Sequence, residues 1–163
     1  MSLYTPLHRD LDEQELRAFV SEVAADPAAW LHLVRFDPDR RLFAQLARDD
    51  HLDVWVISWM DGHDTGFHDH DLSCGAVAVV EGELVEERLV IGGAPRRRQY
   101  GAGDVFGFRA SHVHRMTQAT GGRAVSIHAY SPPLWRMGAY TIDPDGTLRR
   151  TSISYAEELR PAA

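Results

Sequence analysis

The chain has a single cysteine, Cys74, in 163 residues, so no disulfide can form within it. Basic residues are outnumbered: 17 Lys and Arg stand against 24 Asp and Glu, for a formal charge of −7. A surface of that sign excludes nucleic acid and anionic membranes as partners, because both demand a basic face. Uninterrupted apolar runs stay under about eight residues, against the roughly 20 that a membrane-spanning helix needs. Residues 1–10 lack the basic-then-apolar order of a signal peptide. These absences predict a soluble, cytoplasmic protein. What the chain does have is core-forming material, 44% hydrophobic at the length of one domain, and one domain over residues 1–163 is expected.

Asp10 and Glu13 have the spacing of a capping box, and Leu16, Phe19, Val20 and Val23 follow at helical spacing. Residues 11–24 are therefore predicted as an amphipathic helix, with a second, short helix from Asp26-Pro27 through Leu33. From Leu42 the texture changes. Short β-rich runs at 42–47, 54–59, 76–80, 84–91, 105–108, 113–117, 124–130 and 138–142 are separated by breaks such as Asp61-Gly62, Glu81-Gly82 and Gly121-Gly122. Many short strands with no helices between them indicate an all-β sandwich or barrel over residues 41–152, with a helical segment, 1–36, packed on its outside. Arg96, Arg97 and Arg98 read as a solvated turn.

Chemistry concentrates in residues 62–82, G-H-D-T-G-F-H-D-H-D-L-S-C-G-A-V-A-V-V-E-G. In an extended strand His68 and His70 share a face while Asp69 takes the other. Two imidazoles on one face are half of a metal site. A second segment, 103–118, reads G-D-V-F-G-F-R-A-S-H-V-H-R-M-T-Q and offers His112 and His114. On the strand at 124–130, Ser126, His128 and Tyr130 alternate with Val125, Ile127 and Ala129, giving one polar and one apolar face. If the apolar face packs outside, the polar face lines a pocket and can carry a hydrogen-bonded relay ending at the phenol.

The first segment resembles the first motif of the cupin superfamily, with Gly75 standing where that motif has a glutamate ligand. The second resembles the second cupin motif, with the spacing from Gly103 favouring His114 over His112 and with Gln118 in place of an asparagine. The resemblance implies a jelly-roll barrel with a metal held by His68, His70 and His114, three neutral ligands and no carboxylate. Residues 59–62 (W-x-x-G), His114-Arg115-Met116 and the run Ser126, His128, Tyr130, Ser131, Pro132, Pro133 further resemble the thiol dioxygenases of the cysteine dioxygenase type. That family implies Fe(II), a thiol substrate and O₂. Three neutral ligands leave the metal's charge uncompensated, which favours a substrate bound as thiolate.

The same resemblance gives Ser126, His128 and Tyr130 a supporting catalytic part and implies a cis Ser131-Pro132 peptide. It calls for an arginine to pair with a substrate carboxylate, for which Arg41 and Arg136 are both candidates, the latter in combination with Gln45 as in members that prefer 3-mercaptopropionate. Cys74 falls one residue short of the position where some members carry a cysteine linked to the tyrosine. It is read as a small buried residue without such a link. L-cysteine is the substrate implied first, and 3-mercaptopropionate or another small thiol is the alternative. A non-catalytic metal-binding cupin and a zinc-dependent isomerase or hydrolase are the rivals from other classes.

Overall fold

The computed structural model describes residues 4–118 and 121–154. The first helix, α1, spans Glu13–Ala24. Its cap is Asp12 and not Asp10. The Asp12 carboxylate accepts from Glu15 N at 2.9 Å, and Glu15 Oε2 accepts from Asp12 N at 3.0 Å, so the box forms two residues later than the sequence spacing suggested. Asp10 is engaged elsewhere, 2.9 Å from His51 Nδ1. Leu16, Val20 and Val23 form the buried stripe of the helix. The second helix, α2, Pro27–Trp30, is capped by Asp26 and runs into a 3₁₀ turn, Leu31–Leu33. No helix among the described residues is long and apolar enough to cross a membrane.

The strands are β1 Leu42–Arg48, β2 Asp53–Met60, β3 Phe67–Asp69, β4 Cys74–Glu81, β5 Glu83–Arg88, β6 Arg96–Gly101, β7 Val105–Phe108, β8 His114–Thr117, β9 Arg123–Ser131, β10 Arg136–Ile142 and β11 Leu148–Ser154. They form two antiparallel sheets, in the orders β1-β2-β9-β4-β7 and β11-β10-β3-β8-β5-β6. Two of these strands correct the sequence reading. The arginine run at 96–98 lies in edge strand β6, where Arg97 and Arg98 stand opposite Glu87 and Glu86 on β5. Its residues are solvated, so it lacks the apolar alternation that marks a strand, although Arg98 lies over the ring of Tyr100, 4.9 Å from its centroid. Strand β11 was hidden in the same way, being exposed over most of its length.

The five-stranded sheet is buried on both faces, which explains why β2 reads as a nearly continuous apolar run. Val54, Val56, Val125, Ile127, Ala129, Ala76 and Ala78 meet α1 and Trp30. Trp55, Ile57 and Trp59 turn the other way, into the space between the sheets, with Leu84, Met116 and Tyr130. The side chains that carry chemistry enter this inner space.

Candidate metal centre

Strand β3 is three residues long and held on both sides, with His68 opposite Ala139 of β10 and opposite His114 of β8. Its alternation sends His68 and His70 inward and Asp69 outward. There Asp69 accepts from Gly138 N (2.9 Å), Asp71 N (3.0 Å), Tyr140 Oη (2.6 Å) and Arg150 Nε and Nη2 (2.7 and 2.9 Å). Burial pushes this carboxyl up, but the hydrogen bonds from Arg150 and Tyr140 outweigh it and hold it below the usual carboxylate range. The strand is thus fastened through its last residue, Asp69, to β10 and β11.

On the inner side His68, His70 and His114 are all buried, and a ligand nitrogen from each lies within 4.8 Å of the others. His68 Nδ1 sits 3.0 Å from Gly66 O and His114 Nδ1 sits 2.8 Å from Glu86 Oε1, leaving Nε2 of each for a metal. Neither nitrogen of His70 has a hydrogen-bond partner in the described structure, although its ring is held between Phe108 and Tyr130 at centroid distances of 4.5 and 5.2 Å. An orphaned buried imidazole is costly, and a metal ion would relieve it. Burial first, and repulsion among the imidazoles second, hold His68 and His70 well below the ordinary histidine value; burial lowers His114 too, against the opposing pull of Glu86. Neutral imidazole is the form that binds metals. The residues present fit a divalent ion with three nitrogen donors.

Glu86 went unremarked in the sequence. Its Oε1 lies 2.8 Å from both His114 Nδ1 and His112 Nε2, and Tyr100 Oη donates to Oε2 at 3.3 Å. Glu86, His112 and His114 also lie close enough to form a three-ligand group of their own. Their polar atoms are already hydrogen-bonded to one another, whereas those of His70 are not, so the first triad is the better metal site. A carboxylate behind a ligating imidazole fixes the ring and raises its basicity. The available signal was a glutamate at an inward position of β5, in phase with buried Leu84.

Beside the triad runs the relay expected on β9. Ser126 Oγ is 2.8 Å from His128 Nε2, and His128 Nδ1 is 3.2 Å from Tyr130 Oη. Trp59 Nε1 adds a contact that the sequence did not indicate, donating to Ser126 Oγ at 2.8 Å. Burial pushes His128 down to about 3. Val125, Ile127 and Ala129 pack outward against the helices, as the alternation required.

The enclosed cavity here is small, about 30 Å³, and is lined by Arg41, His68, His114, His128 and Tyr130, with aromatic and aliphatic walls. Arg41 reaches it from the start of β1, its guanidinium 5.0 Å from the Trp59 ring and its Nη1 donating to Asp64 O at 3.2 Å. The Asp64 carboxylate in turn is gripped by Arg115 Nε at 2.9 and 3.0 Å. Arg136 does not join them. It precedes inward-facing Met137, so it points out, pairs with Asp71 at 3.3 Å and borders a separate depression near Leu72 and Trp135. Gln45 is also spent elsewhere, donating to buried Asp53 at 2.8 Å. Of the two arginine candidates, the cavity takes Arg41.

Cys74 corrects another expectation, being only half-buried. It packs with the cluster on the helix side of the sheet, while Gly75 stands opposite Tyr130 across β4 and β9. The Ser131-Pro132 peptide is cis.

Residues 7–142 match the sequence profile described as cysteine dioxygenase type I. The chain belongs to the cysteine dioxygenase type I family. Solved structures place the fold among the cupins. A cupin superfamily protein of Desulfitobacterium hafniense superposes with a TM-score of 0.55 at 16% identity, over 78% of this chain and 98% of its own. The BH2720 protein of Bacillus halodurans gives 0.54 at 18% identity, over 79% and 83%. The TT1209 protein of Thermus thermophilus gives 0.56 at 16% identity, over 63% and 92%. At these identities the structural likeness speaks for the cupin fold alone, and the family match carries the chemical class.

Proposed function

We propose that this cysteine dioxygenase family member oxidises a small carboxylate-bearing thiol to its sulfinate, using Fe(II) held by His68, His70 and His114. The observation that carries this reading is one small cavity bordered at once by buried neutral imidazoles, the Arg41 cation and the Tyr130 phenol. Both atoms of O₂ end on the sulfur of the product, so four electrons pass from sulfur to oxygen and the thiol R–SH becomes R–SO₂H. A ferrous ion would supply the redox chemistry with O₂ and favour the thiolate form of the substrate.

The chain's own residues do the rest. Arg41 pairs with the substrate carboxylate, as a planar guanidinium suits. Its place over Trp59 restricts the approach. Tyr130, backed by His128 and Ser126, hydrogen-bonds the substrate or the oxygen end of the reaction. The apolar walls keep water from competing.

L-cysteine is the substrate proposed first, on the family's chemistry. The second reading is 3-mercaptopropionate, favoured by one feature: none of the described residues lining the cavity carries a carboxylate to meet a substrate ammonium. The test is oxygen uptake by Fe(II)-reconstituted protein with each thiol, with sulfinate identified by mass spectrometry. Uptake matched by sulfinate, and abolished in His114→Ala, is the expected result. Full iron occupancy with no coupled uptake from any small thiol would overturn the proposal, and turnover without O₂ would point to a non-oxidative cupin.

A further inference from the structure

Four buried polar groups stand in line on the inner faces of β2 and β9, and an inventory of their hydrogens gives the line a direction. Trp59 Nε1 is 2.8 Å from Ser126 Oγ, Ser126 Oγ is 2.8 Å from His128 Nε2, and His128 Nδ1 is 3.2 Å from Tyr130 Oη. An indole nitrogen has a hydrogen and no lone pair to offer, so at Ser126 it can only donate. Ser126 must still place its own hydroxyl hydrogen. It is fully buried, and in the described structure the one acceptor it meets is His128 Nε2.

If Nε2 accepts, a neutral His128 carries its proton on Nδ1 and donates it to Tyr130 Oη. Burial keeps His128 neutral, with its value pushed down to about 3, so the ring has one proton to give and one lone pair to receive. The opposite polarity has Nε2–H donating to Ser126 and Tyr130 donating to Nδ1. It strands the serine hydrogen beside the indole N–H, and an orphaned buried hydroxyl disfavours that state by about tenfold or more.

We propose that Trp59 is a positioning residue that sets the polarity of this relay, Trp59 to Ser126 to His128 to Tyr130, and so fixes His128 as the Nδ1–H tautomer. Tyr130 then accepts from His128 and does not spend its own hydrogen on that ring. The phenol borders the cavity as a group whose part in the relay is that of acceptor and which can donate outside it. The role of that donor rests on the function proposed above; the polarity itself does not.

The test reads the tautomer directly. Full-length protein with ¹⁵N-labelled histidine is loaded with Zn²⁺, which is diamagnetic, and two-bond ¹H–¹⁵N correlation spectra at neutral pH show which nitrogen of His128 carries hydrogen. Wild type is expected to show Nδ1–H alone. Trp59→Phe, which keeps a ring under Arg41 but loses the N–H, is expected to raise the Nε2–H form about tenfold or more, enough to bring it into view. Tyr130→Phe is expected to leave the wild-type tautomer in place, because the polarity comes from the other end.

Wild type in the Nε2–H form, or Trp59→Phe with Nδ1–H still the single form, overturns the proposal. So does a tautomer that flips in Tyr130→Phe. Should Trp59→Phe fail to fold, Ser126→Ala removes the same instruction and is expected to release the same mixture. The spectra require no turnover, so a protein inactive toward every thiol yet showing this pattern would count against the proposed function alone.

Discussion

A Cβ built on Gly75 would lie 2.3 Å from Cζ and 2.4 Å from Cε2 of Phe108, the residue directly opposite it on β7. Gly75 is therefore a glycine because a ring presses against its Cα. That ring also stacks on His70, 4.5 Å between centroids. At the position where the cupin motif has its glutamate ligand, this chain has spent the space on an aromatic wall that orients one of the three histidines. The three-histidine set is enforced by packing as well as by sequence.

Gly75→Ala is accordingly expected to lower stability by about 1–3 kcal/mol through overpacking. The denaturant midpoint measures it, and Gly75→Ala combined with Phe108→Leu should recover most of the loss. Gly75→Glu is expected to yield a destabilised protein with no increase in metal affinity, since its side chain has nowhere to go.

Glu86 faces His114 from behind, at 2.8 Å. Glu86→Gln removes the charge from the acceptor that orients this imidazole and should weaken metal binding by about 10- to 100-fold. Competition with a chromophoric chelator gives the affinity, and an unchanged affinity would show that His112 and backbone contacts suffice to hold the ring.

Metal-free protein should lose stability as pH falls below 6.5. His128 is pushed from 6.5 down to about 3 on folding, so between those values the unfolded chain binds a proton that the folded one refuses. The stability is fully present above 6.5 and declines by about 1.4 kcal/mol per pH unit for this residue. His68, His70 and His114 are shifted in the same direction and steepen the loss. Asp69 and Glu86, both lowered, add a further loss once pH drops below the ordinary carboxylate range. Urea unfolding at pH 7.5, 6 and 5 checks the slope, and a flat profile would contradict the burial of these groups.

Arg41 and Arg136 separate cleanly by kinetics. Arg41→Ala is expected to raise KM for a carboxylate-bearing thiol by about 10- to 100-fold, the worth of a charged hydrogen-bonded contact. Arg136→Ala, which removes a solvent-exposed pair with Asp71, should leave KM within about twofold. The reverse pattern would move the carboxylate anchor to the outer depression.

The strands of the core and the histidine cluster were legible because each obeys a short rule: alternation on β9 separated Ser126, His128 and Tyr130 from their apolar neighbours, and i,i+2 spacing put His68 beside His70. What escaped lies at positions where the rule is silent. Edge strands β6 and β11 carry arginines and hydroxyls and bury little, so they show no alternation. Glu86 and Trp59 reach the site from β5 and β2, and their partners His114 and Ser126 are 28 and 67 residues away in the chain. Arg41 and Arg136 could not be ranked because the phase of β10 relative to the cavity depends on Met137 facing inward, a matter of packing.

The outward clamp on Asp69 has a consequence for assembly. The three histidines are complete by residue 114, but Asp69, which stands between two of them, is secured by Tyr140 and Arg150. A chain emerging from the ribosome displays every ligand well before it displays the fastener. The setting of β3 is thereby deferred until β10 and β11 have been made and have closed over it. The order of synthesis makes the gathering of His68, His70 and His114 a late step, taken by a chain whose barrel is already nearly built.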